Sequence, residues 1–507
     1  SVASNEFDQK VNDNIRNLTS IGNKQALNSN LIFRKKFRKV GRTISFSADQ
    51  TYSDNETNGL LQSTTNFYDP ATEALLRSEI IDQKKQNKTN AFSLNTRLAY
   101  TEPLSKTTFF EVNVGYRTTN SQALRNSFNK DASVEPKYTQ RDSLYSNDYD
   151  FDVDTKTAGL NLRVNKKKFS YSFGSNFAFA DFTQTDIRKD SAYSYSFVNL
   201  FPRASFRYTL GPQSRISINY NGNTRQPSLE QLQPIRENTD PLNIQIGNAN
   251  LKQEFRHNVN FNYNNYKVLT SRSMWLSGNV NVVDNAISTN STVENGKRTT
   301  QYVNVDGNKT ASIWLGYWFQ KKKWNMNFGV NGGVSASQFN NFINGQQNRN
   351  DNRSINMYFN INHDKEKKYS ISLNPQISYN YSKSSLRPEA VTKYWTSESQ
   401  LDINVQLPWK MEVNTNATFY VRQKTEVFPD DLNTTRWNAY ISKKFWKNNA
   451  GEIRASVFDI LDQNIGFQRN ASSNFISENR YNTIRRYWLI SFIWNFTHNP
   501  ATAGAAK

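Results

Sequence analysis

Four aspartates recur at every second position of the chain: Asp148, Asp150, Asp152 and Asp154. In an extended strand this spacing places all four carboxylates on one face. Stacked carboxylates repel one another unless a cation or basic side chains neutralise them, so Asp148, Asp150 and Asp152 are weak candidates for a Ca²⁺ site. The calcium-loop pattern fails, because Val153 stands at the glycine position and Gly159 at that of the bidentate acid. We therefore expect a solvated strand facing basic residues such as Lys156 and Arg163, and no metal.

Other groups that do chemistry are scarce. The chain has no cysteine and three widely separated histidines, His257, His363 and His498. His257 lies on the apolar side of an alternating segment, which predicts an interfacial ring. A hydrolase would need an activated nucleophile with a basic and an acidic partner. No such group can be assembled, so we expect neither an enzyme nor a cofactor.

One long polar segment, residues 225–250, contains three prolines. Its candidate ligand-binding residues are Arg225, Asn238, Asp240 and Asn243. Polar loops on a rigid scaffold are where ligands are commonly bound, although a purely structural loop fits the sequence equally well.

The composition of the 507 residues restricts the class of protein. Aromatic residues make up 13% of a chain whose mean hydropathy is -0.78, and no stretch of 18 apolar residues occurs. A membrane-spanning helix is thereby excluded. Many rings on a polar background are typical of strands that alternate between lipid and a polar interior.

Strict alternation of apolar and polar residues runs through the whole chain. The segment 255–264 is an example, with Phe255, Val259 and Phe261 on one face and asparagines on the other. Such runs are about 9–13 residues long, enough for a tilted strand to cross a bilayer. Nine tight turns, near residues 40, 104, 166, 211, 269, 321, 365, 408 and 449, alternate with long polar stretches such as 54–90, which the sequence predicts to be loops. This layout predicts an all-β fold, a transmembrane antiparallel up-and-down β-barrel.

We count about 19 strands in the chain. The first, predicted at about 28–37, and the last, 481–496, run in the same direction, whereas single-chain bacterial barrels have an even number of strands. The sequence therefore predicts 19 strands of a 22-stranded barrel. Residues 1–26 would be the tail of an extracellular loop, 27–496 the barrel, incomplete at its N-terminus, and 497–507 a periplasmic tail.

The net charge of +20 has an explanation other than nucleic acid. Many basic residues lie at the predicted short turns, among them residues 35–42, 166–168, 321–323, 365–368 and 443–447. A basic rim at one membrane face suits anionic lipid headgroups. We expect outer-membrane lipid, including lipopolysaccharide, as a partner, and no nucleic acid.

Three blocks resemble a known family. The segment 200–254 ends in Gly247-Asn248-Ala249-Asn250-Leu251-Lys252-Gln253-Glu254 and is similar to the barrel of TonB-dependent receptors of the Bacteroidota outer-membrane β-barrel family. That family usually reads Gly-Asn-Pro-x-Leu-Lys-Pro-Glu there, so Ala249 and Gln253 depart from it. The segments 457–464 and 486–496 are similar to its penultimate and final strand motifs. The resemblance spans about 27–496.

The resemblance implies a bacterial outer-membrane transporter. Extracellular loops would capture a ligand, an N-terminal plug would gate uptake, and a segment preceding this chain would couple to the TonB protein. A surface lipoprotein or other outer-membrane subunits are further possible partners. One alternative is a structural barrel that scaffolds a larger outer-membrane complex without transport, and another is an open porin-like channel.

Overall fold

A computed structural model describes residues 2–4, 9–131, 133, 138–232, 236–237, 240, 242–294, 297–389, 391–425, 433–471 and 476–496. Strand is the dominant conformation. Alternating segments rich in Val, Ile, Tyr and Phe favour strands because these side chains pack well on a pleated surface. The four-residue α1, Leu229–Leu232, is the α-helix of the described part.

The strands are β1 Val2–Ser4, β2 Lys10–Lys36, β3 Thr43–Tyr68, β4 Leu75–Pro103, β5 Thr108–Asn129, β6 Gln140–Arg141, β7 Asn147–Asn165, β8 Phe169–Asp186, β9 Ser191–Gly211, β10 Ser214–Arg225, β11 Arg236–Glu237, β12 Asn243–Ile246, β13 Glu254–Lys267 and β14 Arg272–Asp284. They continue with β15 Ala286–Glu294, β16 Lys297–Val305, β17 Asn308–Lys321, β18 Met326–Ile343, β19 Gln346–Lys365, β20 Tyr369–Asn374, β21 Gln376–Ser384, β22 Thr392–Leu407, β23 Met411–Arg422, β24 Thr434–Phe445, β25 Gly451–Phe458, β26 Gly466–Ala471, β27 Ile476–Tyr481 and β28 Tyr487–Trp494.

An antiparallel meander forms the wall. It runs β2–β5, β7–β10, β13, β14, β17–β19, β20 with β21, β22–β25 and β28, each strand pairing with the next. Pro375 splits β20 from β21, since proline has no N–H for the ladder. Counted as one strand, this pair makes 19 in the described part and confirms the predicted count.

The nine predicted tight turns are confirmed. They lie between β2 and β3, β4 and β5, β7 and β8, β9 and β10, β13 and β14, β17 and β18, β19 and β20, β22 and β23, and β24 and β25. Because antiparallel neighbours reverse direction at each turn, all nine lie at the same end of the sheet. The other end carries the long connections.

The long polar stretches are in large part strand, which corrects their prediction as loops. The stretch 54–90 is the upper part of a hairpin in which β3 and β4 stay paired from Thr43↔Thr101 to Phe67↔Arg77. Polar residues predominate on both faces there, and the apolar ones come in adjacent pairs such as Leu60-Leu61 and Ile80-Ile81. The alternation that marks a strand is therefore lost while the backbone ladder continues.

The first wall strand also begins earlier than predicted, at Lys10 and not near residue 28. A strand needs about 9–11 residues to cross the bilayer, so most of this 27-residue strand extends past one membrane face. Assignment of 1–26 to an extracellular segment stays a prediction, and the predicted tail 497–507 lies outside the described residues.

The two faces of the wall differ in polarity. One face bears exposed apolar side chains such as Ile313, Leu315 and Val330. The other bears polar residues such as Asn279 and Asn331, which hydrogen-bond along the wall to Asn260 and Asn360 at 2.8 and 3.2 Å. An apolar exterior and a polar lumen are what a barrel in a bilayer requires.

The wall has two long edges. In the described residues, β2 pairs with β3 and, over a few residues, with the short β1, so most of its other edge is unpaired. Strand β28 pairs with β25 alone. The large apolar side chains of β28 are well exposed, Ile490 at 80% and Trp488 at 76%.

Candidate functional site: the cap over the lumen

A buried carboxylate anchors the long-loop end of the wall. Glu254 is the first residue of β13 and is 2% exposed. Its Oε1 accepts hydrogen bonds from Arg225 Nη1 at 3.3 Å and Arg256 Nε at 2.6 Å, and its Oε2 accepts one from the backbone N–H of Ile287 at 3.0 Å. Two guanidinium groups and an amide compensate the buried negative charge. Glu254 is the last residue of the family-like motif, and sequence reasoning did not assign it this role.

The rest of the motif fastens the loop to its neighbours. The Asn248 amide donates to the Tyr302 carbonyl at 2.9 Å, and the Asn248 N–H donates to the Gln231 carbonyl at 2.6 Å. Asn304 accepts from the Lys252 N–H at 2.8 Å and donates back to the Lys252 carbonyl at 3.0 Å. The motif therefore holds a folded loop at a fixed position on the wall.

Two insertions combine into what we call the cap, residues 226–253 and 286–305 in their described parts. Strand β12 pairs in parallel with β16, from Asn243↔Arg298 to Ile246↔Gln301. Leu232, Leu251 and Ser291 are buried within it. Burial also lowers the pKa of the Arg298 guanidinium below its usual value. The cap thus has a small core of its own.

The cap reaches across the mouth of the barrel. Lys297 on β16 donates to Glu79 on β4 at 2.6 Å. The cap hairpin lies between the tenth and eleventh wall strands, and β4 is the third, so this contact spans the lumen. Lys297 also lies 5.6 Å from the ring centroid of buried Phe67. A second contact joins Asp240 to Arg16 on β2 at 3.5 Å.

The predicted loop residues occupy separate places. Arg225 binds Glu254 at the base of the cap, with no contact to Asp240 among the described interactions. Asp240 accepts hydrogen bonds from the Asn243 amide at 3.0 Å and from the Leu242 N–H at 3.2 Å, which is a local turn. Asn238 lies outside the described residues. Whether these side chains bind a ligand stays a prediction.

The alternating aspartates lie on the outward face of β7. Their register is set by Leu124↔Asp148 and Thr118↔Asp154 opposite β5. Asp152 accepts from the Asn120 amide at 2.6 Å, and Asp154 from the Tyr116 hydroxyl at 2.5 Å. In the described part of the chain, they are not in any group of three or more metal-ligating side chains.

His257 also lies on the outward face, between Tyr220 and Asp284. Its Nδ1 is 3.0 Å from the Tyr220 hydroxyl and its Nε2 is 3.2 Å from an Asp284 carboxylate oxygen. The Phe255 ring packs against it with centroids 4.7 Å apart. This aromatic neighbourhood fits the predicted interfacial ring.

The lumen wall carries aromatic side chains opposite glycines. Trp314 lies over Gly333, and Trp318 over Gly329, on the polar face of β17 and β18. Trp275 of β14 covers Gly316 in the same way. Trp314 also contacts Tyr358, with ring centroids 6.0 Å apart. The glycines leave the space these indoles fill, which alternation alone did not reveal.

A small recess lies in the lumen wall toward the long-loop end. It has a volume of about 140 Å³, and Lys85, Arg125, Ser127 and Tyr145 are among its lining residues. Lys85 donates to the Ser127 hydroxyl at 2.9 Å, and its ammonium lies 5.6 Å from the Tyr145 ring centroid. It is a second polar surface, separate from the cap, at the long-loop end of the lumen.

A polar lumen inside an apolar antiparallel wall, with short turns at one end and a folded cap at the other, defines an outer-membrane β-barrel. The model of the outer membrane protein beta-barrel family matches residues 35–372, and the chain belongs to that family. Membership of an outer-membrane β-barrel family and outer-membrane localisation are thus as predicted, and the Bacteroidota and TonB-dependent assignments stay predictions. The described helices include none that is long and apolar enough to cross a membrane.

Comparisons with other proteins give low identities. The chain is similar to the ferric citrate transporter FecA in its unliganded form, with a TM-score of 0.42 and 11% identity over 89% of this chain and 62% of FecA, less than two thirds of its length. The copper transporter OprC gives a TM-score of 0.44 and 10% identity over 94% of this chain and 83% of OprC. The third structure is a double mutant of the Serratia marcescens hemophore receptor HasR in complex with its hemophore HasA and heme. It gives a TM-score of 0.45 and 11% identity over 95% of this chain and 71% of HasR. No curated protein sequence matches the chain.

Proposed function

We propose that the chain is the barrel portion of a TonB-dependent receptor-type transporter, in which the cap captures a ligand and a plug outside this chain gates uptake. The observation that carries the proposal is the cap itself, a folded unit that spans the mouth of a polar lumen. Its contacts to the far wall are ion pairs between partly exposed side chains, Lys297 with Glu79 and Arg16 with Asp240. Such pairs contribute about 0–1 kcal/mol each, so they can open and re-form.

The two wall edges support a larger assembly. In hydrocarbon, each unpaired backbone N–H or C=O costs several kcal/mol, so an open wall is not stable there. We infer that three more strands complete a barrel of 22, a size whose lumen holds a plug. Those strands, the plug and the TonB-coupling segment would belong to chain outside Ser1–Lys507. No covalent chemistry is involved.

Binding of full-length protein to the purified periplasmic domain of TonB tests this function. A receptor-type transporter is expected to bind at micromolar concentration, and the 1–507 chain alone is not. A folded full-length protein that does not bind would contradict the transport proposal.

The second candidate is a scaffolding barrel without transport. It is favoured by the closed arrangement of the cap, which contacts both β4 and β2. Spin labels at the exposed positions 76 and 294, near the Lys297–Glu79 pair but outside it, distinguish the two. A scaffold keeps one short distance, whereas a receptor shows a second population with the cap released.

A further inference from the structure

Almost all of the net charge lies at the short-turn end. We take each short turn with three residues on either side: 34–45, 101–110, 163–171, 209–216, 265–274, 319–328, 363–371, 405–413 and 443–453. These segments contain 24 of the 63 Lys and Arg but 5 of the 43 Asp and Glu, a balance of +19 out of +20. The remainder of the chain is therefore close to neutral, and the basic character belongs to one end of the barrel.

Four consecutive turns form a continuous surface, which we call the lysine–tryptophan arc: residues 321–324, 365–368, 408–410 and 443–447. The Asn325 amide donates to the Asp364 carbonyl and joins the first two turns. The Gln406 N–H donates to the Lys368 carbonyl at 2.7 Å and joins the next. The register Met411↔Lys443 joins the last. The arc holds ten lysines: Lys321, Lys322, Lys323, Lys365, Lys367, Lys368, Lys410, Lys443, Lys444 and Lys447.

Most of this charge is not neutralised within the protein. Lys444 pairs with Glu412 at 3.0 Å. Lys321–Lys323 and the lysines of 365–368 are exposed and form no ion pair in the described residues. The turn between β2 and β3 differs, because Lys39 and Arg42 both bind Glu102 there, at 2.6 and 2.8 Å. The arc is therefore a surface that attracts anions.

Three of the four turns in the arc also present an exposed indole. Trp324, Trp409 and Trp446 are 58%, 82% and 53% exposed, and each is next to a lysine in sequence. Trp446 packs against Phe445 and Phe492, the latter on the outward face, with centroids 5.0 and 5.8 Å apart. Exposed tryptophans at the end of an apolar wall mark the level of lipid headgroups.

We propose that the lysine–tryptophan arc binds the headgroups of anionic phospholipids in the periplasmic leaflet. The lysines would bind the phosphates, and the indoles would lie between the headgroups and the acyl chains. Lysine charge alone would equally suit an acidic protein. The indoles favour lipid because their amphipathic rings match an interface that is polar on one side and apolar on the other.

Lipid retention by the full-length protein in mixed nanodiscs tests the proposal. With equal phosphatidylglycerol and phosphatidylcholine, we expect at least about fivefold enrichment of phosphatidylglycerol on the protein, from the favourable interaction of each Lys near an anionic surface. The variant K321Q/K322Q/K323Q/K367Q/K368Q is expected to lose most of this enrichment. The matched control K88Q/K189Q/K252Q/K309Q/K393Q removes the same charge at the long-loop end and is expected to keep it.

A second measurement does not depend on those variants. Brominated phosphatidylglycerol is expected to quench Trp fluorescence of the unmodified protein more strongly than brominated phosphatidylcholine, with the difference reduced in W324F/W409F/W446F. Equal retention of the two lipids, or equal loss in the arc and control variants, overturns the proposal. So does displacement of phosphatidylglycerol by 10 mM inorganic phosphate, which indicates a free-anion site. Loss of a co-purifying acidic protein in the arc variant, with no lipid preference in the unmodified protein, would assign the arc to that partner.

Discussion

The Arg225 guanidinium and the Glu254 carboxylate meet at 3.3 Å across the paired ends of β10 and β13, where the register is Arg225↔Glu254. Arg225 is the last residue of β10, and the first segment of the cap, residues 226–253, starts directly after it. Glu254 is the first residue of β13, where that segment returns to the wall. The pair therefore closes the loop at its base. Arg225, which the sequence suggested as a ligand-binding residue, therefore has a structural partner in Glu254.

Replacement of Glu254 should loosen the cap. In Glu254→Gln, two guanidinium groups lose the buried charge they share, and we expect a loss of about 1–3 kcal/mol in local stability. Hydrogen exchange of 242–253 should accelerate accordingly. The exposed Glu294→Gln on the same cap is the control and should leave exchange unchanged. Equal protection in both variants would contradict the anchoring role of Glu254.

The ion pair across the mouth should respond to charge reversal. Glu79→Lys places two positive charges together. We therefore expect the free energy of opening of the β15–β16 hairpin to fall by about 1 kcal/mol and its amide hydrogen exchange to accelerate. The exchanged pair Glu79→Lys with Lys297→Glu restores the attraction and should restore most of the protection. If amide exchange in the double variant is no slower than in Glu79→Lys alone, the contact does not hold the cap.

The glycine under Trp314 should not tolerate a side chain. A Cβ at Gly333 would lie 2.3 Å from the indole, so Gly333→Ala must displace the ring, at a cost of about 1–3 kcal/mol. Unfolding in urea should begin at lower concentration, with a change in Trp fluorescence. The neighbouring Gly332→Ala is the control, because its Cβ meets nothing closer than 3.7 Å. Similar behaviour of the two variants would exclude close packing of the indole.

The stability of the N-terminal end of β2 should depend on pH. Lys10 and Tyr68 hydrogen-bond to Asp13, at 2.6 and 2.7 Å, and these contacts lower the pKa of Asp13 to about 2. A depressed carboxyl pKa stabilises the fold above the unfolded value of about 3.9. The contribution is lost as the pH falls toward 2.

Carbonyl NMR of Asp-labelled protein should show this low midpoint, assigned with Asp13→Asn. Lys10→Met removes the partner whose hydrogen bond lowers the pKa most and should raise the midpoint. A midpoint near 3.9 in the unmodified protein would contradict the interaction.

Much of the fold could be predicted where one face of each strand meets lipid and the other the lumen. There the sequence must alternate, so the strand count and the nine turns were recoverable from segments such as 255–264. Beyond the membrane, both faces of β2, β3 and β4 carry mainly polar residues, with the apolar ones out of alternation. The alternation disappears, and the sequence indicates a loop where the structure has a hairpin.

The sequence by itself determined the class of protein, the end at which charge accumulates and the motif that finishes at Glu254, because each is a local pattern. Tertiary structure alone decided that Lys297 meets Glu79, that the four alternating aspartates of β7 face outward and that Trp275 covers Gly316. Those contacts join residues far apart in sequence or depend on strand register. A shift of one residue would move every side chain to the opposite face, and no local pattern fixes which distant strands meet.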